Sequence, residues 1–189
     1  GGYLDHILHV IKNSLMIKNQ YESNGVDVIH SDSDVVLAAM FHDLGKLGDG
    51  TQPYYKYQTD DWRRKKLNEW YTHNKDLDFM TVHDRALWIL AKYHVDLNPH
   101  VYKAIICADG LFDSAAETYF RSYVDSRHCL GSIVHFGDWL STICEKQTWL
   151  QGEEEHSDEN INNKKTNTIK ANDKQVKELK NKFNELFNN

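Results

Sequence analysis

The chain has 189 residues, of which 40% are hydrophobic and 12% aromatic, and its formal net charge is −6 at pH 7. This length and composition predict one globular domain with a substantial core, not a disordered chain. An acidic chain lacks the broad basic field that holds long duplex nucleic acid, and no apolar run reaches the length of a membrane-spanning helix.

The three cysteines, Cys107, Cys129 and Cys144, show neither CxxC spacing nor an even count. We interpret them as small core residues of a protein from a reducing compartment, because a disulfide scaffold would pair them. No signal-peptide pattern opens the sequence. We therefore expect a cytoplasmic protein.

The first helix is predicted from Tyr3 to about Gln20, where apolar residues recur at helical spacing. Its buried face should comprise Leu4, Ile7, Leu8, Ile11 and Leu15. On the opposite side, His6, His9 and Asn13 fall together. That side is either solvent-exposed surface or the wall of a cleft, and the periodicity does not distinguish the two.

The second predicted helix is the most hydrophobic. Residues 31–33 offer N-caps and residues 35–41 are apolar on every side, so this helix should lie in the core. It delivers His42 and Asp43 at its end, where Gly45 is placed to terminate it. Charged groups buried there need a partner or a metal ion.

Residues 49–80 differ in character, because six tyrosines and tryptophans are interleaved with lysines and arginines. We interpret this segment as a partly helical insertion or lid, and no part of the chain alternates strongly enough to predict a sheet. The run from Arg63 and Arg64 to Lys66 is typical of a solvated face. Alternatively, the aromatic neighbours stack on a base while these cations meet phosphates.

Two further helices are marked by their caps. Thr81 and Asp84 have capping-box spacing and open a helix with His83 in its first turn. Asn98 followed by Pro99 opens another.

The last part of the chain predicts a central helix, a linker and a short final helix. From His128 to about Thr148 apolar residues nearly encircle a helix, leaving a polar strip in which the carboxylate of Asp138 needs a partner of opposite charge. Residues 151–174 have almost nothing to bury and should form a flexible linker. Residues 175–189 predict an amphipathic helix that packs on the domain or on a partner.

Imidazole nitrogens with carboxylate oxygens are a suitable ligand set for a first-row divalent ion, and they leave positions for water and a phosphate oxygen. Such an ion polarises a P–O bond and lowers the pKa of water. These are the needs of phosphoester hydrolysis.

Three segments of the chain, in this order, resemble the signature of the HD-domain phosphohydrolases over roughly residues 1–148. The opening GGYLDHILHV is similar to HD domains related to 3′-5′ exoribonucleases, AAMFHDLGKLGD is similar to the apolar-HD-x-GK core, and IVHFGDWLS is similar to the closing H-x-x-D segment. The resemblance implies an all-α fold, an HD-domain helical bundle of five or more helices over residues 1–150 with a metal at its centre.

The same resemblance implies that His6, His42, Asp43 and Asp138 bind a divalent ion, which could be Mn, Mg, Fe, Co, Ni or Zn. His9 is the alternative to His6 as the first ligand.

Further roles are implied for residues near this set. Lys46 would contact a substrate phosphate, unless it is only a cation near a helix C-terminus. His83 matches an additional ligand of two-metal relatives, and with Arg85 it is also predicted to bind substrate. The next histidine of those relatives falls at residues 107–110, where this chain has Cys-Ala-Asp-Gly, which argues against a second metal. There Asp109 is a replacement ligand, a base that orients water, or only a turn residue.

The predicted function is hydrolysis of a small phosphate ester, a nucleotide or deoxynucleotide, by metal-activated water, with Asp43, Lys46 and Asp109 as catalytic residues. One alternative is a 3′-5′ exonuclease or cyclic-nucleotide phosphodiesterase, in which the basic and aromatic insertion would bind nucleic acid. The other is a catalytically weak, metal-containing module that binds a ligand or a protein.

Overall fold

The structure is a computed structural model that describes residues 2–110, 114, 116, 117, 119 and 130–157, with side chains as far as 151. The described chain is predominantly helical, as predicted. It divides into two compact units, Gly1–Lys146 and Gln147–Asn189. All site residues discussed below belong to the first unit.

The elements follow one another in a simple order. They are α1 (Tyr3–Ser23), α2 (Asp32–Phe41), a 3-10 helix (Leu44–Leu47), β1 (Tyr55–Tyr57), α3 (Asp61–Leu67), β2 (Tyr71–His73), α4 (Val82–Lys92), α5 (Pro99–Cys107) and α6 (Leu130–Ser157). Helix α6 continues beyond residue 150, so the start of the predicted linker is helical. The rest of that linker and the predicted helix at 175–189 lie outside the described residues.

Three helices begin at the predicted caps. The hydroxyl of Ser31 accepts from the backbone N–H of Asp34 at 3.1 Å, and the Asp34 carboxylate accepts from the backbone N–H of Ser31 at 3.0 Å. Thr81 accepts from the backbone N–H three residues later, and Asn98 caps α5 in the same way. These caps are confirmed because each satisfies backbone donors of its own first turn.

A hydrophobic core joins helices α2, α4, α5 and α6. Helix α2 is central as predicted, since every side chain from residue 35 to residue 41 is buried or half-buried. Helix α6 is central only in part. Its Ile133 and Val134 are buried, whereas Phe136 and Trp139 are 45% and 50% exposed.

The buried face of α1 was predicted only in part, since Ile7 and Ile11 are buried as expected. Leu4 and Leu8 are 73% and 48% exposed, whereas Val10 and Ser14 are fully buried. The reason is tertiary, because Gly137 of α6 packs directly against the Ser14 side of the helix. This rotation brings the polar strip that includes His6 toward the interior.

The prediction that the chain has no sheet is wrong. Strands β1 and β2 pair antiparallel, with Tyr55 opposite His73 and Tyr57 opposite Tyr71. Each strand has only three residues, too few to produce a clear alternation. The insertion is thus a small hairpin, with helix α3 carried between its strands.

Gly45 does not terminate α2, which ends at Phe41. It lies within the 3-10 helix. A Cβ added at Gly45 would lie 2.0 Å from the carbonyl oxygen of Val82. The glycine therefore allows α4 to approach the turn that follows His42 and Asp43.

The cysteines are not all core residues. Cys107 is buried, and burial raises the pKa of its thiol to about 11, so the thiol is protonated near neutral pH. Cys144 is exposed, contrary to prediction. Cys129 lies outside the described residues. Among the helices that the structure describes, none is both long and apolar enough to cross a bilayer.

Candidate metal centre

The four predicted ligands come together from three parts of the chain. His6 lies on α1, His42 and Asp43 follow α2 directly, and Asp138 lies on α6. The Nε2 atoms of His6 and His42 lie 3.1 and 3.8 Å from Oδ1 of Asp138. Oδ2 of Asp43 lies 3.7 Å from His6 Nε2 and 3.6 Å from His42 Nε2.

The spacing of these atoms fits a coordinated ion. His6, His42 and Asp138 offer ligand atoms that all lie within 4.8 Å of one another. Two atoms bound at about 2.1 Å to the same ion are separated by roughly 3.0 Å at a right angle and roughly 3.4 Å at a tetrahedral angle. The nitrogen–oxygen separations of 3.1 to 3.8 Å are close to this range. Asp43 borders the three-residue set and faces both imidazoles.

The orientation of His42 gives the strongest chemical argument for a cation. Its Nδ1 lies 2.8 Å from the carbonyl oxygen of Ala39, to which it must donate, so a neutral ring carries its lone pair on Nε2. That Nε2 is buried and has no hydrogen-bond partner among the described residues. It faces the carboxylates of Asp43 and Asp138, an arrangement that a positive charge between them, either a metal ion or a proton, makes favourable.

His6 is held by a second carboxylate. Its Nδ1 donates to Oε2 of Glu145 at 3.0 Å, which directs Nε2 toward Asp138. The hydrogen bond to Asp138, opposed by burial and supported by Glu145, raises the pKa of His6. A proton on Nε2 thus satisfies His6 without an ion but leaves His42 unsatisfied. His9 also bonds to Glu145, at 2.7 Å, and is outside the three-residue set.

Asp138 is ionised in this environment. Burial alone would raise the pKa of its carboxyl, but the hydrogen bond from His6 and the charges of His42 and Lys46 outweigh burial and lower it. A charged carboxylate at this position attracts a cation.

Lys46 is held beside the site. Its ammonium donates to Oδ2 of Asp43 at 2.6 Å. Burial disfavours the charged form, but the Asp43 carboxylate outweighs this and raises the pKa of Lys46. Lys46 is therefore a fixed positive charge next to the ligand set.

Helix α6 approaches α1 closely enough to place Asp138 against His6, because residue 137 is glycine. A Cβ on Gly137 would lie 2.1 Å from the hydroxyl oxygen of Ser14 and 3.0 Å from its backbone nitrogen. The hydroxyl of Ser141 donates to the Gly137 carbonyl at 2.7 Å and accepts from Asn13 at 2.9 Å. This contact fixes the relative positions of the two helices on either side of the ligands.

Two tyrosines border the site and were not predicted. The hydroxyl of Tyr3 is buried without a hydrogen-bond partner among the described residues, and burial followed by the charge of Asp43 raises its pKa. Burial raises the pKa of Tyr55 in β1. The charge of Lys46 lowers it, Tyr54 and Asp43 raise it further, and the net shift is upward. Both phenols therefore lie near the charged groups of the centre.

Asp109 and His83 lie close to each other and to the site. Asp109 is exposed, yet partial desolvation and then the charge of Asp43 raise its pKa, while His83 acts in the opposite direction. His83 is only 5% exposed, and its Nδ1 has no hydrogen-bond partner among the described residues. In the part of the chain that the structure describes, neither residue joins a second set of three metal ligands.

The predicted substrate-binding role of Arg85 is not supported, because the side chain is only 3% exposed. Its guanidinium donates to the carbonyl of Asp78 at 2.8 Å and lies 5.6 Å from the centre of the Tyr54 ring. Arg85 thus ties the hairpin to α4.

Arg63 and Arg64 are placed on α3 and not in the ligand set. Arg63 pairs with Glu69 at 2.9 Å. Arg64 pairs with Asp61 and donates to the hydroxyl of Tyr57 at 2.8 Å. Any contact with a substrate would therefore be at the hairpin.

Replacement of Glu145 by glutamine should weaken Mn²⁺ binding by roughly 10- to 100-fold, because the carboxylate that orients His6 and increases its basicity is lost. Isothermal titration calorimetry measures the effect, and thermal unfolding shows whether the fold is retained. Glu69→Gln, which removes an exposed charge paired with Arg63, is the matched control. Equal Mn²⁺ affinity in wild type and Glu145→Gln would show that this carboxylate has no such role.

Comparison of the chain with family models, with curated proteins and with solved structures gives no match. A functional assignment therefore depends on the sequence signature and on the geometry described above.

Proposed function

We propose that this chain is a metal-dependent phosphohydrolase of the HD type that acts on a small phosphate ester, a nucleotide or deoxynucleotide. The observation that carries the proposal is the buried Nε2 of His42, which lacks a hydrogen-bond partner among the described residues and faces two carboxylates. A metal ion bound between these groups would satisfy the imidazole nitrogen and both carboxylates. The other ligand atoms stand at suitable distances to share it.

His6, His42 and Asp138, with Asp43 beside them, would hold the ion, and their nitrogen and oxygen donors suit Mn, Fe, Co, Ni or Zn, with Mg less favoured by the two imidazoles. When bound, such an ion supplies Lewis-acid activation of the phosphoryl group and of water. Glu145 and the carbonyl of Ala39 fix which nitrogen of each imidazole faces inward.

Lys46 would bind a phosphate oxygen of the substrate. Its ammonium has three donors, and the bond to Asp43 uses one of them. The remaining donors allow Lys46 to keep its position on Asp43 while contacting an anion. The Tyr3 hydroxyl, buried near Asp43, would be a second hydrogen-bond donor to the substrate phosphate.

Asp109 would accept the proton of the attacking water. It is exposed to solvent, and partial desolvation and the neighbouring carboxylates make it a stronger base than an ordinary aspartate. His83 lies close enough to stabilise its charge. In this proposal a base, a phosphate-binding lysine and a set of metal ligands would act on one substrate.

The test is to incubate the protein with Mn²⁺ and a panel of dNMPs, dNTPs, cyclic nucleotides and short RNA, and to measure phosphate or nucleotide release. We expect turnover of at least one phosphate ester by the wild type and none by His42→Ala. His94→Asn is the control, because His94 is exposed, has a positive φ of 57° that asparagine tolerates, and lies outside the ligand set. Stoichiometric metal binding without turnover of any substrate would contradict the enzymatic proposal and favour a binding module.

A further inference from the structure

One face of the hairpin carries four aromatic side chains at directly opposed positions. Tyr55 pairs with His73, and Tyr57 pairs with Tyr71. The ring centroids of these pairs are 5.3 and 6.4 Å apart, with interplanar angles of 76° and 87°. All four side chains are exposed, Tyr57 and Tyr71 by 53% and 67%. We name these four residues the aromatic ladder.

Exposure of the ladder leaves apolar ring surface in contact with water, and a bound ligand would cover that surface. Single exposed aromatic residues are common, but a contiguous exposed apolar patch on a small domain is typical of a binding surface. Because residues two apart along a strand are separated by about 6.6 Å, the two pairs are spaced along one line. Tyr54 packs against both rings of the first pair, with centroids 4.8 Å from Tyr55 and 4.9 Å from His73, so Tyr57 and Tyr71 form the more open pair. A row of exposed rings suits a ligand with repeated flat groups.

The Tyr55 end of the ladder is the end nearer the metal centre, since the charges of Lys46 and Asp43 act on the Tyr55 hydroxyl after burial. A geometric connection supports this placement. Arg85 lies under the ring of Tyr54, and its Cβ is 3.1 Å from the position that a Cβ on Gly45 would take.

The surroundings of the ladder are basic, although the chain as a whole is acidic. Residues 54–76 contain six lysines and arginines against four acidic residues, whereas the whole chain has a net charge of −6. The guanidinium of Arg64 lies 5.1 Å from the centre of the Tyr57 ring. A groove that shares His73 with the ladder is lined by Lys56, Arg63 and Lys75, and also by Asp60 and Asp76. The basic excess of the segment, six positive against four negative side chains, favours an anionic ligand.

We propose that the aromatic ladder binds the bases of a short single-stranded oligonucleotide by stacking, with a phosphate of the same strand directed to the metal centre. Base–aromatic stacking next to cations is the general means by which proteins hold single strands. Duplex bases are already stacked on one another and do not reach such rings. This proposal rests on the proposed function and adds short single-stranded oligonucleotides to the nucleotides that the metal centre would cleave.

The binding test uses the full chain, a fluorescein-labelled oligothymidylate and EDTA, so that no hydrolysis occurs, with fluorescence anisotropy as the readout. Tyr57→Ala and Tyr71→Ala should each weaken binding by roughly 5- to 100-fold. Tyr57→Phe keeps the ring and should bind like the wild type. Tyr102→Ala, which removes an exposed tyrosine of α5, is the matched control and should also be unchanged.

A duplex of the same length should bind at least about tenfold more weakly than the single strand. Equal affinity of the wild type, Tyr57→Ala and Tyr71→Ala for the oligothymidylate would overturn the proposal, and so would equal affinity for single strand and duplex. Thermal unfolding of the variants shows whether loss of binding follows loss of the fold, and recovery of binding in Tyr57→Phe excludes that explanation.

The two proposals fail in different ways. If the metal centre is not catalytic, Mn²⁺ produces no cleavage of any substrate, but anisotropy still detects binding that depends on the ladder. If the metal centre is catalytic but the ladder does not bind bases, mononucleotides are still hydrolysed. In that case Tyr57→Ala and the wild type show the same ratio of dinucleotide turnover to mononucleotide turnover. With both correct, Tyr57→Ala lowers kcat/KM for the oligonucleotide and leaves that for a mononucleotide unchanged.

Discussion

Asp138→Asn should lower Mn²⁺-dependent phosphoesterase activity by at least about a thousandfold, which corresponds to the several kcal/mol that a metal ion supplies to a phosphoryl transition state. The substitution preserves the shape of the side chain but removes the charge that faces His6 and His42 at 3.1 and 3.8 Å. An amide cannot replace that charge. The bound metal should be lost in the same variant, as measured by elemental analysis after dialysis.

The control for this charge removal is Asp96→Asn, because Asp96 is exposed in the loop after α4. It should retain full activity and metal content. Retention of both in Asp138→Asn as well would mean that the ion, if present, is held elsewhere.

Gly137→Ala should destabilise the fold by about 1–3 kcal/mol and reduce Mn²⁺ affinity at the same time. The added methyl group would lie 2.1 Å from the hydroxyl oxygen of Ser14 and 3.0 Å from its backbone nitrogen, so α1 and α6 must separate. His6 lies on α1 and Asp138 on α6, so separation of the two helices moves these ligands apart. Chemical denaturation measures the first effect and calorimetric titration with Mn²⁺ the second.

A second substitution tests the cause. Ser14→Ala removes the hydroxyl at the closest contact, and this buried hydroxyl has no hydrogen-bond partner in the described part of the chain, so its loss should cost little stability. The double variant Ser14→Ala/Gly137→Ala should recover part of the lost stability and affinity, a coupling that a double-mutant cycle quantifies. Gly2→Ala, where a Cβ meets nothing within 4 Å, should have no effect. Simple additivity of the Ser14 and Gly137 effects would contradict the proposed contact.

Caps and short motifs are the features that could be predicted from the sequence. Ser31, Thr81 and Asn98 begin helices because each satisfies donors only two or three residues away, which is information that the local sequence contains. The proximity of His6, His42, Asp43 and Asp138 was implied by the resemblance of three segments to the HD signature. Hydrophobic pattern alone indicated only that the charged groups among them needed a partner.

The buried face of α1 could not be predicted from its periodicity. Leu4 and Leu8 extend the apolar pattern, but the helix turns Ser14 inward because Gly137 leaves room for it. Tertiary packing of one small residue on another helix therefore outweighs local hydrophobicity.

Glu145 and Tyr3 carried a signal that was missed. Glu145 follows Asp138 by seven residues and Tyr3 precedes His6 by three, so each shares a helix face with a ligand. The position of Tyr55 had no such signal. It reaches the centre only because the hairpin folds back and because Arg85 ties it to α4.

The most direct test of the metal centre is a crystal structure with Mn²⁺, measured with anomalous scattering. We predict one anomalous peak about 2.0–2.2 Å from Nε2 of His6, Nε2 of His42 and Oδ1 of Asp138. Crystals at saturating Mn²⁺ that show no peak between these three atoms, with the imidazole of His42 hydrogen-bonded instead to another group of the protein, would contradict the central claim.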